Sequence, residues 1–464
     1  MKGDRRQVAG SDSEAPSVAR SRAIPGTAAL ALALGCGRWG NYLVVSLPPI
    51  PGGIGLSQGP PYLLDILVLG ASVRILFNGS QRLPRLNTSI IFSLIFGLYV
   101  FLRFGLAEPI NFDAVRDFAP YAYVLLIPLM AMAFMNASAD SIDRTSRHIY
   151  FALVFHACWV AVVLVAPDAF ASAPVLNSAP SVRMFDIRSD FDAACCAILV
   201  ALTSLNALKM RKSLIGARGL TLLLGLFTVV GIHSRVGLVI LVVLLPLVAS
   251  TVLRSKRAAT TVVVAFPLLM LLAFAVLPNT IAGQRLLLEQ VDTSNAQAGA
   301  GAEGTTNARR MAWSTVYRYT NEDSTRALVG VGFGANFMSD SGALTQLVGS
   351  NDPEEQVRSP HNFLVGTYAR LGLLGALLIA GALLPVFWRV RRSVLRDERG
   401  LQSLAALVVV ALGIASVVGV ILESPFAAVP FYWCAGVLIG GSAARVTRQE
   451  SADKAGSRSA GNSE

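Results

Sequence analysis

Apolar runs and short polar breaks alternate along most of the chain. Stretches dominated by Leu, Val, Ile, Ala and Phe lie near residues 24–47, 61–77, 88–104, 119–135, 149–167, 192–208, 219–233, 236–253, 258–278, 362–387, 403–422 and 430–444. Each is roughly 15 to 25 residues long, and at about 1.5 Å of rise per residue such a helix crosses a hydrocarbon core of about 30 Å. The pattern predicts an all-α integral membrane protein of about twelve transmembrane helices. Arg38 and Asn41 interrupt the first run, and a short apolar run after a basic tail also resembles a signal peptide. Tyr42 to Leu47 resume the apolar pattern with no Ala-x-Ala site after them, which favours a retained span.

Composition agrees. With 54% hydrophobic residues, 14% charged residues and a mean hydropathy of +0.58, a soluble chain of 464 residues is excluded. Orientation follows from the cations, because Lys and Arg of short loops are retained in the cytoplasm. With the N-terminus inside, most of the 39 Lys and Arg residues fall in the tails and in the loops at 82–85, 144–147, 209–218, 254–257 and 389–399. That asymmetry places both termini in the cytoplasm. It divides the chain into a cytoplasmic basic tail (1–23), spans one to nine (24–278), a large extracytoplasmic loop (279–361), spans ten to twelve (362–444) and a second cytoplasmic tail (445–464). The net charge of +11 is thereby accounted for by topology, and no nucleic-acid partner is expected, since no soluble domain carries a basic stripe. Cys36, Cys158, Cys195, Cys196 and Cys434 all fall in apolar runs, so neither a disulfide nor a metal framework is implied. Leu34-Gly35-Cys36 is a poor lipoprotein site, because Ala33 replaces a larger aliphatic residue.

The loop between spans nine and ten is the one sizeable polar region. Ser294 to Asn307 is Gly/Ala-rich and expected to be flexible. Ala308 to Tyr319 reads as an amphipathic helix, with Met311, Val316 and Tyr319 apolar and Arg309, Arg310 and Arg318 polar. Such a helix cannot bury its apolar face alone, so the loop is expected to pack back over the spans and cover a cavity. Gly330-Val331-Gly332-Phe333-Gly334 lacks the strand-turn-helix setting of a nucleotide loop and reads as a tight turn. His361, one of four histidines, stands with Ser359, Pro360 and Asn362 where the loop enters a span. A titratable group at such a boundary is a functional candidate.

Four of these patterns together resemble the O-antigen ligase and O-antigen polymerase (Wzy-type) superfamily of integral-membrane glycosyltransferases. His233-Ser234-Arg235-Val236-Gly237 is similar to its Ser-Arg-Gly turn, and Arg309 with Trp313 to its Arg-x-x-x-Trp. Val329 to Phe337 is similar to its Gly-x-Gly segment, and Pro360-His361-Asn362 with Leu371 to Gly375 to its His-Asn element. A fifth, Arg183, stands where the family often carries an arginine, although Asp186 and Asp190 alter its surroundings, and Arg370 replaces a common acidic residue.

The resemblance implies transfer of a polyprenyl-pyrophosphate-linked glycan donor to a saccharide or glycolipid acceptor in the lipid bilayer, at the outer face of the bacterial cytoplasmic membrane, for cell-surface polysaccharide synthesis. Arg235, Arg309 and Arg183 would hold the pyrophosphate, for which a planar donor fork is suited. His361 would take the proton of the acceptor hydroxyl, with His233, Asn362 and Arg310 as supporting candidates. No metal or cofactor is called for. Each residue also has a plainer reading. Arg235 could anchor a span at the interface, His361 could cap the following helix, Arg309 could be a solvated face residue, and His156 is expected to be structural. Asp65, Arg74, Arg103 and Arg370 lie in or near spans and are expected to pair internally. Arg370, nine residues beyond His361 and about 13 Å deeper at helical rise, is not expected at the same phosphate. A transporter or flippase is the competing class, against which no internal repeat is evident. Polymerase and ligase stay undivided.

Overall fold

Short polar side chains start the helices of this chain. Asn87 accepts the Ile90 N–H at 3.2 Å, Asn111 that of Ala114 at 2.9 Å and Ser138 that of Ser141 at 3.2 Å, each satisfying an amide that has no partner inside its own helix. The computed structural model describes residues 24, 26–36, 63–77, 86–107, 110–170, 172, 175–176, 179–183, 186–210, 216–252, 296–348, 357–396 and 400–441. The expected span 258–278, the tails 1–23 and 445–464, and the loop segments 279–295 and 349–356 lie outside them.

In chain order the helices are α1 (Thr27–Cys36), α2 (Leu63–Leu76), α3 (Thr88–Gly105), α4 (Phe112–Ala122), α5 (Leu126–Met135), α6 (Ala139–Val165), α7 (Ser189–Met210), α8 (Ala217–Gly231) and α9 (Arg235–Val252), followed after the gap by α10 (Ala296–Asn321), α11 (Ser324–Val329), α12 (Phe337–Asp340), α13 (Ala343–Val348), α14 (Phe363–Arg396), α15 (Leu401–Val418) and α16 (Pro425–Gly441). Every apolar run within the described residues is helical. Six helical segments there are long and apolar enough to cross a membrane, with α4 and α5 joined through a 3-10 turn into one of them, and α8, α9 and α16 are shorter apolar helices. The all-helical expectation needs one amendment, a two-stranded antiparallel ribbon of β1 (Val175–Leu176) and β2 (Ala179–Arg183). α7 and α15 are buried over most of their length and form the centre of the bundle, whereas Leu98, Phe101 and Leu102 of α3 and Phe151 and Phe155 of α6 stay exposed. In a membrane protein such a face meets lipid tails.

The loop differs from expectation in two respects. The Gly/Ala-rich stretch is not a flexible link, because α10 begins at Ala296 and runs through it; its alanines have the highest helix propensity, which offsets the glycines. The apolar face of α10 is also shifted. Ala312, Val316 and Thr320 are fully buried, while Met311 is 52% exposed. Ala312 and Val316 join Phe337, Met338, Ala343, Leu344 and Ala369 in a small core of their own, and since Ala369 belongs to α14 this core ties the loop to the membrane domain. The described part of this segment thus packs against α14.

Gly330 to Gly332 make a second tie. α14 is broken at Gly372, whose φ of 63° and ψ of −168° interrupt the helical bonding. The carbonyls left over are met by the loop: Val331 N–H donates to Ala369 O and Gly332 N–H to Arg370 O, both at 2.9 Å. Tyr99 donates to Leu371 O at 2.8 Å, and Arg103 to Gly330 O at 3.0 Å. Non-helical backbone inside a bundle is tolerated where protein satisfies it in this way. A Cβ on Gly330 would lie 2.2 Å from the Arg370 carbonyl carbon, while Gly342, also at positive φ, has open space around it. Gly330→Ala is therefore expected to destabilise the detergent-solubilised protein by about 1–3 kcal/mol more than Gly342→Ala, the difference being overpacking. Equal shifts in thermal denaturation would show that the close docking contributes nothing.

Candidate functional site

Helix ends converge beneath the loop. α8 runs back along α7 and α9 returns, so α7 and α9 begin at the same end of the bundle. They also touch there, since a Cβ on Gly237 would lie 2.7 Å from Ala193 Cβ. α15 finishes beside the start of α7, where a Cβ on Gly419 would lie 2.7 Å from Asp190 Oδ2. α10 lies across these ends. Arg309 donates to Val418 O at 3.0 Å, and one turn later the Trp313 indole donates to Pro360 O. The four-residue spacing of Arg309 and Trp313 thus joins the end of α15 to the entry of α14.

His361 sits at that entry. The cap of α14 is Asn362, whose Oδ1 accepts the amides of Leu364 at 2.9 Å and Val365 at 3.2 Å. Capping is therefore not the function of His361. Its backbone is left-handed, with φ of 56°, an uncommon conformation for a residue with a side chain and one that occurs at constrained sites. No hydrogen bond is made to its ring among the described residues. Burial, with Arg309 and then Arg188 adding repulsion, brings its pKa down to about 4. The imidazole is neutral at physiological pH with two cations near it.

A cavity of about 230 Å³ opens beside His361, lined among others by Arg358, Ser359, Arg370 and Glu423. Most of its charge is paired internally. Asp117 holds Arg370 at 2.6 Å and Arg358 at 2.9 Å, and Arg116 lies 3.5 Å from Asp113. Glu423 follows α15 in a short 3-10 turn, Ile421–Glu423, and accepts a hydrogen bond from Ser359 Oγ at 2.7 Å. Burial raises its carboxyl to about 7, against the pull of the Ser359 hydroxyl and of Arg370.

Of the residues singled out in the sequence, Arg309 and His361 are brought together. Arg235 starts α9, half-buried, at the same end of the bundle as Arg188 but outside the cavity lining. Arg183 ends β2, and its side chain lies outside the described residues. His233 and Arg310 are exposed, and Asn362 is a helix cap. Arg370 is paired with Asp117 as expected. It nevertheless lines the same cavity as His361, because the cavity follows the first turns of α14 and the estimate of depth along a straight helix did not separate the two. Asp65 receives the Tyr123 hydroxyl, so it too is paired internally. His156 is fully buried, 3.2 Å from Asp192 and edge-on to Trp159 and Phe191.

Two groups escaped the sequence reading. Arg188 stands five residues beyond Arg183, in no motif that marks it. Glu423 carried a legible signal, being the one charged residue between Leu401 and Gly441. The argument that drew attention to His361 at a membrane boundary applies equally to it.

Comparison with curated proteins gives no match. Residues 220–380 match the family model for O-antigen ligases, a stretch that contains Arg235, Arg309, the Gly330–Gly332 segment and His361. Over that stretch, about a third of its length, the chain is similar to O-antigen ligases, and its long apolar helices are those of a multi-pass membrane protein.

Proposed function

We propose that the protein transfers a polyprenyl-pyrophosphate-linked glycan to a hydroxyl of a second saccharide, at the outer face of the bacterial cytoplasmic membrane. The observation that carries this reading is the neutral His361, beside Arg309 and Arg188 and with no hydrogen bond to its ring among the described residues. The cations bind the donor pyrophosphate, and Arg235, at the same end of the bundle, completes their set with Arg183. The acceptor oxygen attacks the anomeric carbon. The bond from that carbon to the pyrophosphate oxygen breaks, its electron pair leaves on the pyrophosphate, and the hydroxyl proton passes to His361. Because the leaving group departs as an anion already held by arginines, it needs no proton of its own. The donor's negative charge offsets the repulsion from Arg309 and Arg188, so His361 gains basicity when the donor is bound.

The proposal includes a twelve-span topology with both termini in the cytoplasm and the loop outside, as the distribution of Lys and Arg requires. Between polymerase and ligase we favour a polymerase of exopolysaccharide or O-antigen repeat units on an undecaprenyl-type carrier, with no metal, since nothing in the sequence singles out a specialised acceptor. A discontinuous helix such as α14 also occurs in transporters, where the break exposes backbone to a substrate. Here the break is filled by the loop, which favours the transferase. The test is reconstitution of the purified chain in liposomes with lipid-linked oligosaccharide from the producing cell. Formation of longer glycans with release of polyprenyl pyrophosphate is expected. Movement of intact lipid-linked oligosaccharide across the bilayer without new glycosidic bonds would establish the transporter.

A further inference from the structure

Glu423 lines the cavity without an ion pair among the described residues, although Arg370 and Arg116 favour its charged form. Arg358 and Arg370 are committed to Asp117, and Arg116 to Asp113. Ser359 is the hydrogen-bond donor to Glu423, through Oε1. The residue is half-buried, and it lines the cavity beside His361. Gly366 leaves it room, since a Cβ there would come within 3.0 Å of Oε1. Ser359 and Ser424 add hydroxyls to the wall. The volume of about 230 Å³ is below the range of about 300–1,000 Å³ typical of drug-sized ligands and suits one sugar ring.

We propose that Glu423, held by Ser359, is the acceptor subsite: its carboxylate accepts hydrogen bonds from hydroxyls of the acceptor's terminal sugar and holds the attacking one toward His361. This rests on the reading of His361 as the proton acceptor. The ligand class is a hydroxyl-rich sugar ring whose O–H groups donate to a charged oxygen. The donor pyrophosphate lies on the Arg309 side, so the two substrates meet at the histidine from different directions.

The charges facing Glu423 are Arg116 and Asp117 from α4, Arg370 from α14, and Arg358 from the segment before it; Tyr121 and His361 complete the titratable groups. The carboxylate form binds, so kcat/KM for the acceptor falls as pH drops through about 7. The experiment uses the full chain in lipid nanodiscs. The donor is lipid-linked oligosaccharide from the producing cell, and the acceptor is the free oligosaccharide of the same repeat. Glu423→Gln is expected to raise acceptor KM by about tenfold or more, through loss of a charge-assisted bond, with donor KM unchanged. It is also expected to abolish the limb near pH 7. Ser359→Ala, which removes the group pulling the carboxyl pKa down, is expected to move that limb to higher pH, and it carries the test if Glu423→Gln does not fold. An unchanged acceptor KM in Glu423→Gln, a limb that survives there, or one that stays in place in Ser359→Ala would overturn the subsite. If those results came with an inactive His361→Gln, the transfer reading would stand without the subsite; full activity in His361→Gln would remove the reading itself.

Discussion

His361→Gln is expected to lower kcat by about 10²- to 10⁴-fold while donor binding persists, the usual effect of losing a positioned acid–base group. Glutamine keeps hydrogen-bonding capacity but cannot take the proton. Because Asn362 rather than His361 caps α14, the substitution leaves the helix start intact, and expression and melting temperature should stay near wild type. The pH dependence adds a second check. The base must be neutral, and burial with the neighbouring arginines lowers its pKa to about 4 in the free protein. At saturating acceptor, kcat/KM for the donor should therefore hold through the ordinary histidine range of about 6.5 and fall only as pH drops through about 4. In kcat, which reports the donor complex, the same limb should lie at higher pH, because bound pyrophosphate raises the basicity of His361. A limb near the ordinary histidine value in both parameters would mean that Arg309 and Arg188 do not act on His361.

Arg309→Ala should weaken kcat/KM for the donor by about 2–5 kcal/mol, a factor between about 30 and several thousand, if its guanidinium is the desolvated partner of the pyrophosphate. Lysine should restore part of this, as a point charge without the planar fork. Arg310→Ala, changing an exposed neighbour on the same helix, should have little effect. Removing Arg309 also removes a repulsion on His361, so the acid limb of Arg309→Ala should move up in pH. Lost activity with an unshifted limb would assign Arg309 to fastening α10 on Val418 rather than to the phosphate. Arg235→Ala, measured alongside, tells whether the end of α9 belongs to the same site.

The apolar helices of the described residues were readable because hydrocarbon leaves the backbone one common solution, a helix whose length the bilayer sets. Arg235 drew notice because a charge is costly between two apolar runs, and Arg309 and His361 because each belongs to a short pattern in the polar segment or at its edge. What escaped notice depends on chain crossings. That Ala312, rather than Met311, faces inward follows from where α10 crosses α14, which helical periodicity alone leaves open to a rotation of one position. The break at Gly372 depends on a loop segment about forty residues earlier, and a glycine inside an apolar run gives no hint of it. Arg188 was missed because His361, on whose ring its charge acts, is far away in sequence. Glu423 was missed for want of a motif, although its isolation among apolar neighbours was visible.

Arg309 and Trp313 are fastened to carbonyls that come later in the chain, Pro360 and, more than a hundred residues on, Val418. During synthesis the arginine is made well before either anchor exists. A nascent chain that has not yet inserted its last hairpin has no assembled site, and a product cut short before Leu401 lacks both Val418 and Glu423. On the proposed reading, activity therefore begins only once residues 401–423 have been made and packed against the rest.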